Sequence, residues 1–131
     1  MTRIPQLHSE GCVVASLAMV TGHTYEQIAA YFGNDFNQHG LTSIDAHEYL
    51  DHAGFCWVHR HSYMHGNIKR SPWPAPPFAP VHLVCVINGD RSHAVAMDSE
   101  GVIFDPLKAG AYSLADFETV PYIIGVFPRK A

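Results

Sequence analysis

The sequence is poor in charge, and no stretch of it concentrates basic residues. Only 15% of its 131 residues are charged, with 8 Lys or Arg against 12 Asp or Glu and a formal net charge of −4. A nucleic-acid-binding surface needs clustered Lys and Arg along the phosphates, so nucleic acid is not an expected partner. The 47% of hydrophobic residues excludes a disordered or solvating chain. We therefore expect a folded enzyme or binding domain.

Long apolar runs are also missing. No segment approaches the roughly 20 apolar residues that cross a bilayer, and the start MTRIPQLHSEGC lacks the apolar core of a secretion signal. The sequence thus predicts a soluble, cytoplasmic protein with no membrane partner. Its length predicts one domain over residues 1–131, large enough to bury a core without disulfide or metal. No cofactor is expected, and the oligomeric state is left open.

Cysteine is scarce, with three residues in the whole chain. Three thiols cannot all pair internally, and a cytoplasmic setting disfavours disulfides, so free thiols are expected. Cys56 and Cys85 stand inside apolar, strand-like segments and are predicted to be small buried hydrophobic residues. Cys12 differs from both, because it follows Gly11 and opens a nearly continuous apolar segment.

The first half of the chain has the pattern of three helices. Residues 12–20 (CVVASLAMV) are apolar on nearly every face and are followed by Gly22, which predicts a short helix buried all round and ended by a glycine cap. Two capping-box pairs predict the starts of two further helices, each ended by a later glycine. These signals are Thr24 with Gln27 before Gly33, and Thr42 with Asp45 before Gly54.

The second half changes to short segments rich in β-branched and aromatic residues, separated by turn clusters. The last four of these predict an antiparallel sheet, and one further strand precedes them. The five segments are 55–58, 81–87, 93–97, 102–105 and 122–127. A helical turn is predicted at 113–117, and the proline-rich residues 72–80 predict an extended surface loop. Helices followed by an antiparallel sheet define an α+β fold, with the helices packed beside or across the sheet.

Three residues in this arrangement suit nucleophilic chemistry. Cys12 opens the buried helix, where backbone N–H groups and the positive end of the helix dipole stabilise a thiolate. His93 begins one predicted strand and Asp105 ends the next, so an antiparallel turn between the strands brings the two side chains together. A carboxylate on one imidazole nitrogen leaves the other to take a thiol proton. Taken singly, the cysteine, the histidine and the aspartate each have a plainer reading as packing or turn residues.

Two motifs resemble the papain-like cysteine peptidases, and within them the double-glycine leader peptidases that form the N-terminal domain of bacteriocin-exporting ABC transporters. The first is IPQLHSEGCVVASLAMV, with a proline and glutamine ahead of a cysteine that opens a LeuAlaMet-containing helix. The second is SHAVAMDSEGVIFDP, with a histidine on one strand and an AspPro pair after the next. The resemblance implies a papain-like fold and a peptide or protein substrate. It also implies Gln6 as the oxyanion-hole side chain, Cys12 as nucleophile, His93 as base and Asp105 as orienter.

The chain departs from that family beside the cysteine, where Gly11 and Val13 stand in place of the usual Asp and Gly. We expect a stand-alone domain that hydrolyses amide or isopeptide bonds. Two alternatives keep the same residues: transfer of the acyl group to an amine, and removal of ammonia from a glutamine side chain. A third is a peptidase-like binding module without turnover.

A run of histidines suggests a further alternative, a small metal-binding protein. His59 and His61 are two positions apart on a predicted strand and so share one face, and His65 follows shortly after. A histidine-rich strand at a solvent edge is an adequate explanation of the run, and no cysteine pair or carboxylate cluster with the usual metal-ligand spacing accompanies it. In the proline-rich segment, Trp73 and Phe78 either line a peptide groove or dock onto the core.

Overall fold

Three helices precede a five-stranded antiparallel sheet. The computed structural model describes residues 1–61 and 77–128. The helices are α1 (Cys12–Thr21), α2 (Tyr25–Phe32) and α3 (Ser43–Ala53), and the strands are β1 (Phe55–His61), β2 (Val81–Asn88), β3 (Arg91–Asp98), β4 (Ile103–Phe104) and β5 (Thr119–Pro128). The order across the sheet is β1-β5-β2-β3-β4, and every neighbouring pair is antiparallel. The predicted α+β class is confirmed.

Local sequence explains where the helices begin and end. The Thr24 hydroxyl accepts from the Gln27 N–H while the Gln27 side chain accepts from the Thr24 N–H, and Thr42 and Asp45 form the same reciprocal pair. Each helix ends at a glycine with φ between 71° and 85°, a left-handed conformation that costs glycine little. Helix α1 differs at its start, where Gly11 offers no capping side chain. Its first-turn N–H groups are therefore left without a side-chain cap.

Helix α1 packs on one face of the sheet, mainly against β3. Its residues 13–20 are all buried, as its apolar sequence predicts. Because strand side chains alternate between faces, Ala94 and Ala96 face the helix cluster while Val95 and Met97 join a second cluster on the other face. The two small alanines leave room for the helix to approach the sheet closely. The N-terminus of α1 thereby lies near the start of β3.

The second half of the chain differs from the prediction in several details. Strand β1 extends to His61 and pairs with β5 at the edge. Strand β3 begins two residues before His93, because Gly89 adopts a positive φ in a two-residue hairpin turn. Cys56 is exposed, which corrects its predicted burial: it lies on the uncovered face of the edge strand, where exposed residues alternate with partly buried ones. The predicted helical turn is a 3-10 helix over Leu114–Asp116.

A buried histidine anchors the described end of the proline-rich segment. His82 is fully buried, and its Nε2 accepts hydrogen bonds from the Phe78 and Ala79 N–H groups, both at 3.1 Å. Its Nδ1–H donates to the Met97 carbonyl at 3.3 Å. This pattern requires a neutral ring, and burial lowers the pKa of His82.

No helix in the described part of the chain is long and apolar enough to pass through a membrane.

Phe78 docks onto the core, which decides between the two roles predicted for it. Its ring lies against Gly125, where an added Cβ would collide with it, and Arg60 stacks over the ring at 4.2 Å. Phe78 also packs against the second hydrophobic cluster. Residues 77–80 form neither helix nor strand, as predicted, while Trp73 and the rest of that segment lie outside the described residues.

Replacing His82 by alanine is expected to destabilise the protein by about 1–3 kcal/mol, because two partly buried N–H groups lose their acceptor. The parent should also lose stability as pH falls below about 6.5, since the unfolded histidine then takes up a proton that the buried one does not. Urea unfolding at about pH 7.5 and about pH 5.5 tests both effects, and the variant should depend less on pH. The exposed His39→Ala is the control; equal stability of parent and His82→Ala would contradict the prediction.

Candidate active site

The four predicted site residues line one cleft with two chambers. The larger chamber has a volume of about 280 Å³ and is lined by Gln6, Cys12, His93 and Asp105, among others. The smaller has a volume of about 140 Å³ and shares Cys12 and His93 with the larger. The cysteine and the histidine therefore lie where the chambers meet.

Cys12 is the first residue of α1 and is partly buried. Gly11 before it has no room for a side chain, because an added Cβ would overlap the Tyr25 hydroxyl. That hydroxyl also lies 2.9 Å from His8 Nδ1, which ties the loop before α1 to α2. The glycine that departs from the family pattern is thus explained by the tyrosine beside it. The thiol lies at the start of α1, the positive end of the helix dipole.

His93 and Asp105 are in direct contact. His93 Nε2 donates to Asp105 Oδ1 at 2.7 Å, and the Leu107 N–H donates to the same oxygen at 2.8 Å. Asp105 directly follows β4, which pairs with β3, so the sheet itself brings the carboxylate beside the histidine. Because Nε2 is occupied, Nδ1 is the nitrogen left for Cys12, with which the His93 side chain interacts.

His93 and Asp105 stabilise each other's charged forms. Burial by itself lowers the pKa of His93, but the hydrogen bond and charge of Asp105 and the interaction with Cys12 raise it to about 9. Burial raises the pKa of Asp105, but the hydrogen bonds from His93 and the Leu107 N–H hold it below its ordinary value. At neutral pH the histidine is therefore a cation paired with an ionised carboxylate. This cation interacts with Cys12.

Gln6 lines the larger chamber, but its amide hydrogens are engaged in its own loop. Nε2 donates to the His8 carbonyl at 2.9 Å and to the Ser9 carbonyl at 3.1 Å. Oε1 is buried with no hydrogen-bond partner among the described residues. In this conformation neither amide hydrogen is free for a ligand in the chamber. An oxyanion role for Gln6 therefore requires its side chain to turn.

Arg3 contacts the same turn as Gln6, a contact that was not predicted from the sequence. Its Nε donates to the Asp105 carbonyl at 2.7 Å, and its Nη2 donates to the Pro106 carbonyl at 3.1 Å. The Gln6 N–H donates to the Pro106 carbonyl as well, at 3.2 Å. An isolated arginine near the start of a chain carries no pattern that predicts such a contact over a hundred residues away. Long-range packing alone reveals it.

The second thiol of the cleft, that of Cys85, lines the smaller chamber and is only half-buried, which corrects its predicted burial. Burial raises its pKa to about 11, with a lesser contribution from Cys12, although a hydrogen bond with Tyr122 opposes the change. Burial likewise raises the pKa of Tyr122. Cys85 is therefore a neutral thiol at physiological pH. Of the two thiols in the cleft, only Cys12 interacts with the His93 cation.

Two histidines of the run, His59 and His61, lie in a cluster of tilted and edge-on rings with His47, and burial keeps His59 neutral. His59 and His61 have ring centroids 4.4 Å apart, and His47 from α3 joins them with its Nε2 2.8 Å from His59 Nδ1. Burial, with smaller effects of the other two histidines, lowers the pKa of His59 to about 4. Within residues 1–61 and 77–128, no three His, Cys, Asp or Glu side chains are arranged to hold a metal ion. His65 lies outside the described residues.

Helix α1, which begins with Cys12, packs on an antiparallel sheet, an arrangement found in papain-like folds. The chain is similar to the crystal structure of the peptidase domain of Streptococcus ComA, a bi-functional ABC transporter involved in a quorum-sensing pathway. The two share 20% identity over 96% of this chain and 97% of that one, with a TM-score of 0.71. This likeness confirms the predicted fold. No protein-family model matches the chain, and no curated protein matches it.

Proposed function

We propose that this protein is a cysteine peptidase that hydrolyses amide bonds in a peptide or protein. The observation that most supports this is the 2.7 Å bond between His93 Nε2 and Asp105 Oδ1, made in the cleft where the same histidine interacts with Cys12 at the start of α1. A nucleophile, a base and an orienting carboxylate thus occupy one site. The likeness to a peptidase domain in another protein supports a peptide substrate.

In the proposed mechanism the Cys12 thiolate attacks the amide carbonyl carbon and forms a carbon–sulfur bond, which moves an electron pair to the oxygen. The protonated His93 then gives its proton to the departing amine as the carbon–nitrogen bond breaks. Neutral His93 next takes a proton from water, whose oxygen attacks the acyl-enzyme and releases the acid and the thiolate. Asp105 keeps the ring oriented and stabilises its cationic form whenever the ring carries the proton.

The oxyanion needs donors close to the attacked carbonyl, and two are proposed. One is the backbone N–H of Cys12, at the uncapped start of α1. The other is the Gln6 amide, once substrate binding has turned it away from the His8 and Ser9 carbonyls. The cost of breaking those bonds is offset because a donor to a developing negative charge makes a stronger bond than one to a neutral carbonyl.

Replacing Gln6 by alanine is expected to lower kcat by about a hundredfold to a thousandfold with little effect on KM, because the donor acts mainly in the transition state. Initial rates on a cleaved peptide measure both constants. The exposed Gln38→Ala is the matched control and should behave as the parent. An unchanged kcat in Gln6→Ala would mean that other groups hold the oxyanion.

Mass spectrometry of products from a defined peptide mixture tests the proposed reaction. Hydrolysis gives two fragments that together contain one added water, and both should disappear in the Cys12→Ala variant. Joined peptides would instead show acyl transfer, and an intact peptide with an amide converted to an acid would show deamidation. No reaction, together with an unreactive Cys12, would show a binding module.

A further inference from the structure

The start of the chain is fastened to the turn that carries Asp105. Three hydrogen bonds make this connection: Arg3 Nε to the Asp105 carbonyl at 2.7 Å, Arg3 Nη2 to the Pro106 carbonyl at 3.1 Å, and the Gln6 N–H to the same Pro106 carbonyl at 3.2 Å. The two arginine bonds are partly buried. A planar guanidinium holds two successive carbonyls at a fixed spacing, which a lysine cannot do.

Different bonds hold the side chain and the backbone of Asp105. Its carboxylate accepts from the Leu107 N–H and His93, so these bonds fix the side chain relative to the turn. The turn itself is held by β4, a strand of two residues whose Ile103 also pairs with Tyr112, by the Gln6 N–H and by the arginine. Arg3 therefore helps to set where the carboxylate oxygen lies relative to the imidazole.

We propose that Arg3 is a positioning residue of the active site, which holds the Asp105 turn and the Gln6 segment in register with each other. The expected effect of Arg3 on catalysis rests on the proposed function. A single side chain would then connect the orienting carboxylate with the oxyanion donor, although the two are far apart in sequence. Loss of Arg3 would displace both at once.

This role has a signature that a purely structural or purely electrostatic role lacks. If Arg3 acted only through its charge, its removal would raise the pKa of His93, because a nearby cation disfavours a second one. If Arg3 holds Asp105 in place, its removal weakens the bond that raises the pKa of His93, so that pKa falls from about 9. If Arg3 only added stability, the pKa of His93 would not move.

The experiment compares the full chain with its Arg3→Ala, Arg3→Lys and Arg60→Ala variants. The pKa of His93 is followed by NMR on isotopically labelled protein, stability by urea unfolding, and kcat and KM on a cleaved peptide. Arg3→Ala is expected to lower kcat by about tenfold to a hundredfold, more than it changes KM, and to lower the pKa of His93. Arg3→Lys should be intermediate, since one carbonyl keeps a donor. Arg60→Ala removes an arginine stacked on Phe78 away from the cleft and should leave kcat and the pKa unchanged.

A pKa of His93 that rises or stays constant in both Arg3 variants would overturn the proposal. If Arg3→Ala does not fold, Arg3→Lys decides by the same criterion. The NMR titration needs no substrate, so it judges the role of Arg3 even if the parent has no peptidase activity. Failure of the proposed function would be seen separately. The parent would show no turnover, and Cys12 would be alkylated at the same rate in the parent and in the His93→Ala variant.

Discussion

Replacing Cys12 by alanine is expected to reduce amide hydrolysis by about a millionfold, to the level left by binding and oxyanion stabilisation alone. Without the sulfur no acyl-enzyme forms, and none of the other residues in the cleft supplies an equivalent nucleophile: the Cys85 thiol, with its pKa raised to about 11, stays protonated. The fold should persist, because alanine is the best helix former and position 12 is only partly buried.

The measurement is the initial rate of peptide cleavage, with circular dichroism to verify the fold of the variant. Cys56→Ser is the matched control, since that thiol is exposed on the edge strand β1 and is not one of the residues lining the cleft. The Cys56→Ser variant should cleave the peptide as fast as the parent. Substantial cleavage by Cys12→Ala would show that the cysteine is not the nucleophile.

Replacing His93 by alanine is the change with the second largest expected effect, a loss of about ten-thousandfold in kcat. The proposed mechanism requires the protonated ring to deliver a proton to the leaving amine. Because the pKa of His93 is raised to about 9, the parent's activity should fall as pH rises through that value. The variant should lose this alkaline limb together with most of its rate.

Asp105→Asn provides the finer test of the same group. The asparagine keeps an oxygen that accepts from the ring but loses the charge that helps raise the pKa of His93. The alkaline limb of the pH–rate profile should therefore move to lower pH. Profiles of parent, Asp105→Asn and His93→Ala on one peptide give the comparison; an alkaline limb at the same pH in all three would mean that His93 does not set it.

Local signals in the sequence were enough to predict the helices and the pairing of β3 with β4. Glycine caps and capping boxes act within a few residues, so Thr24, Thr42 and Gly22 marked helix ends that the structure confirms. The contact of His93 with Asp105 followed from an antiparallel turn between consecutive strands, which also depends on neighbours in sequence. Their proposed catalytic roles stay predictions.

Features that depend on long-range packing were not predictable. The exposure of Cys56 follows from the position of β1 at the sheet edge, which nothing near residue 56 encodes. The same is true of Arg3, whose partners lie at the far end of the chain, and of His47, which meets His59 only because α3 packs on β1. The bonds of the Gln6 amide to its own loop depend on side-chain geometry that a motif does not specify.

Brief alkylation with iodoacetamide at about pH 6 is the most direct measurement of whether Cys12 is an activated nucleophile. Peptide mass spectrometry then reads the three thiols separately. Cys56 reports the reactivity of an exposed thiol, and Cys85 that of a half-buried one. Cys12 is expected to be labelled far faster than both, and His93→Ala should slow its labelling sharply. Equal labelling of the three cysteines, or labelling of Cys12 that is unaffected by His93→Ala, would contradict this prediction.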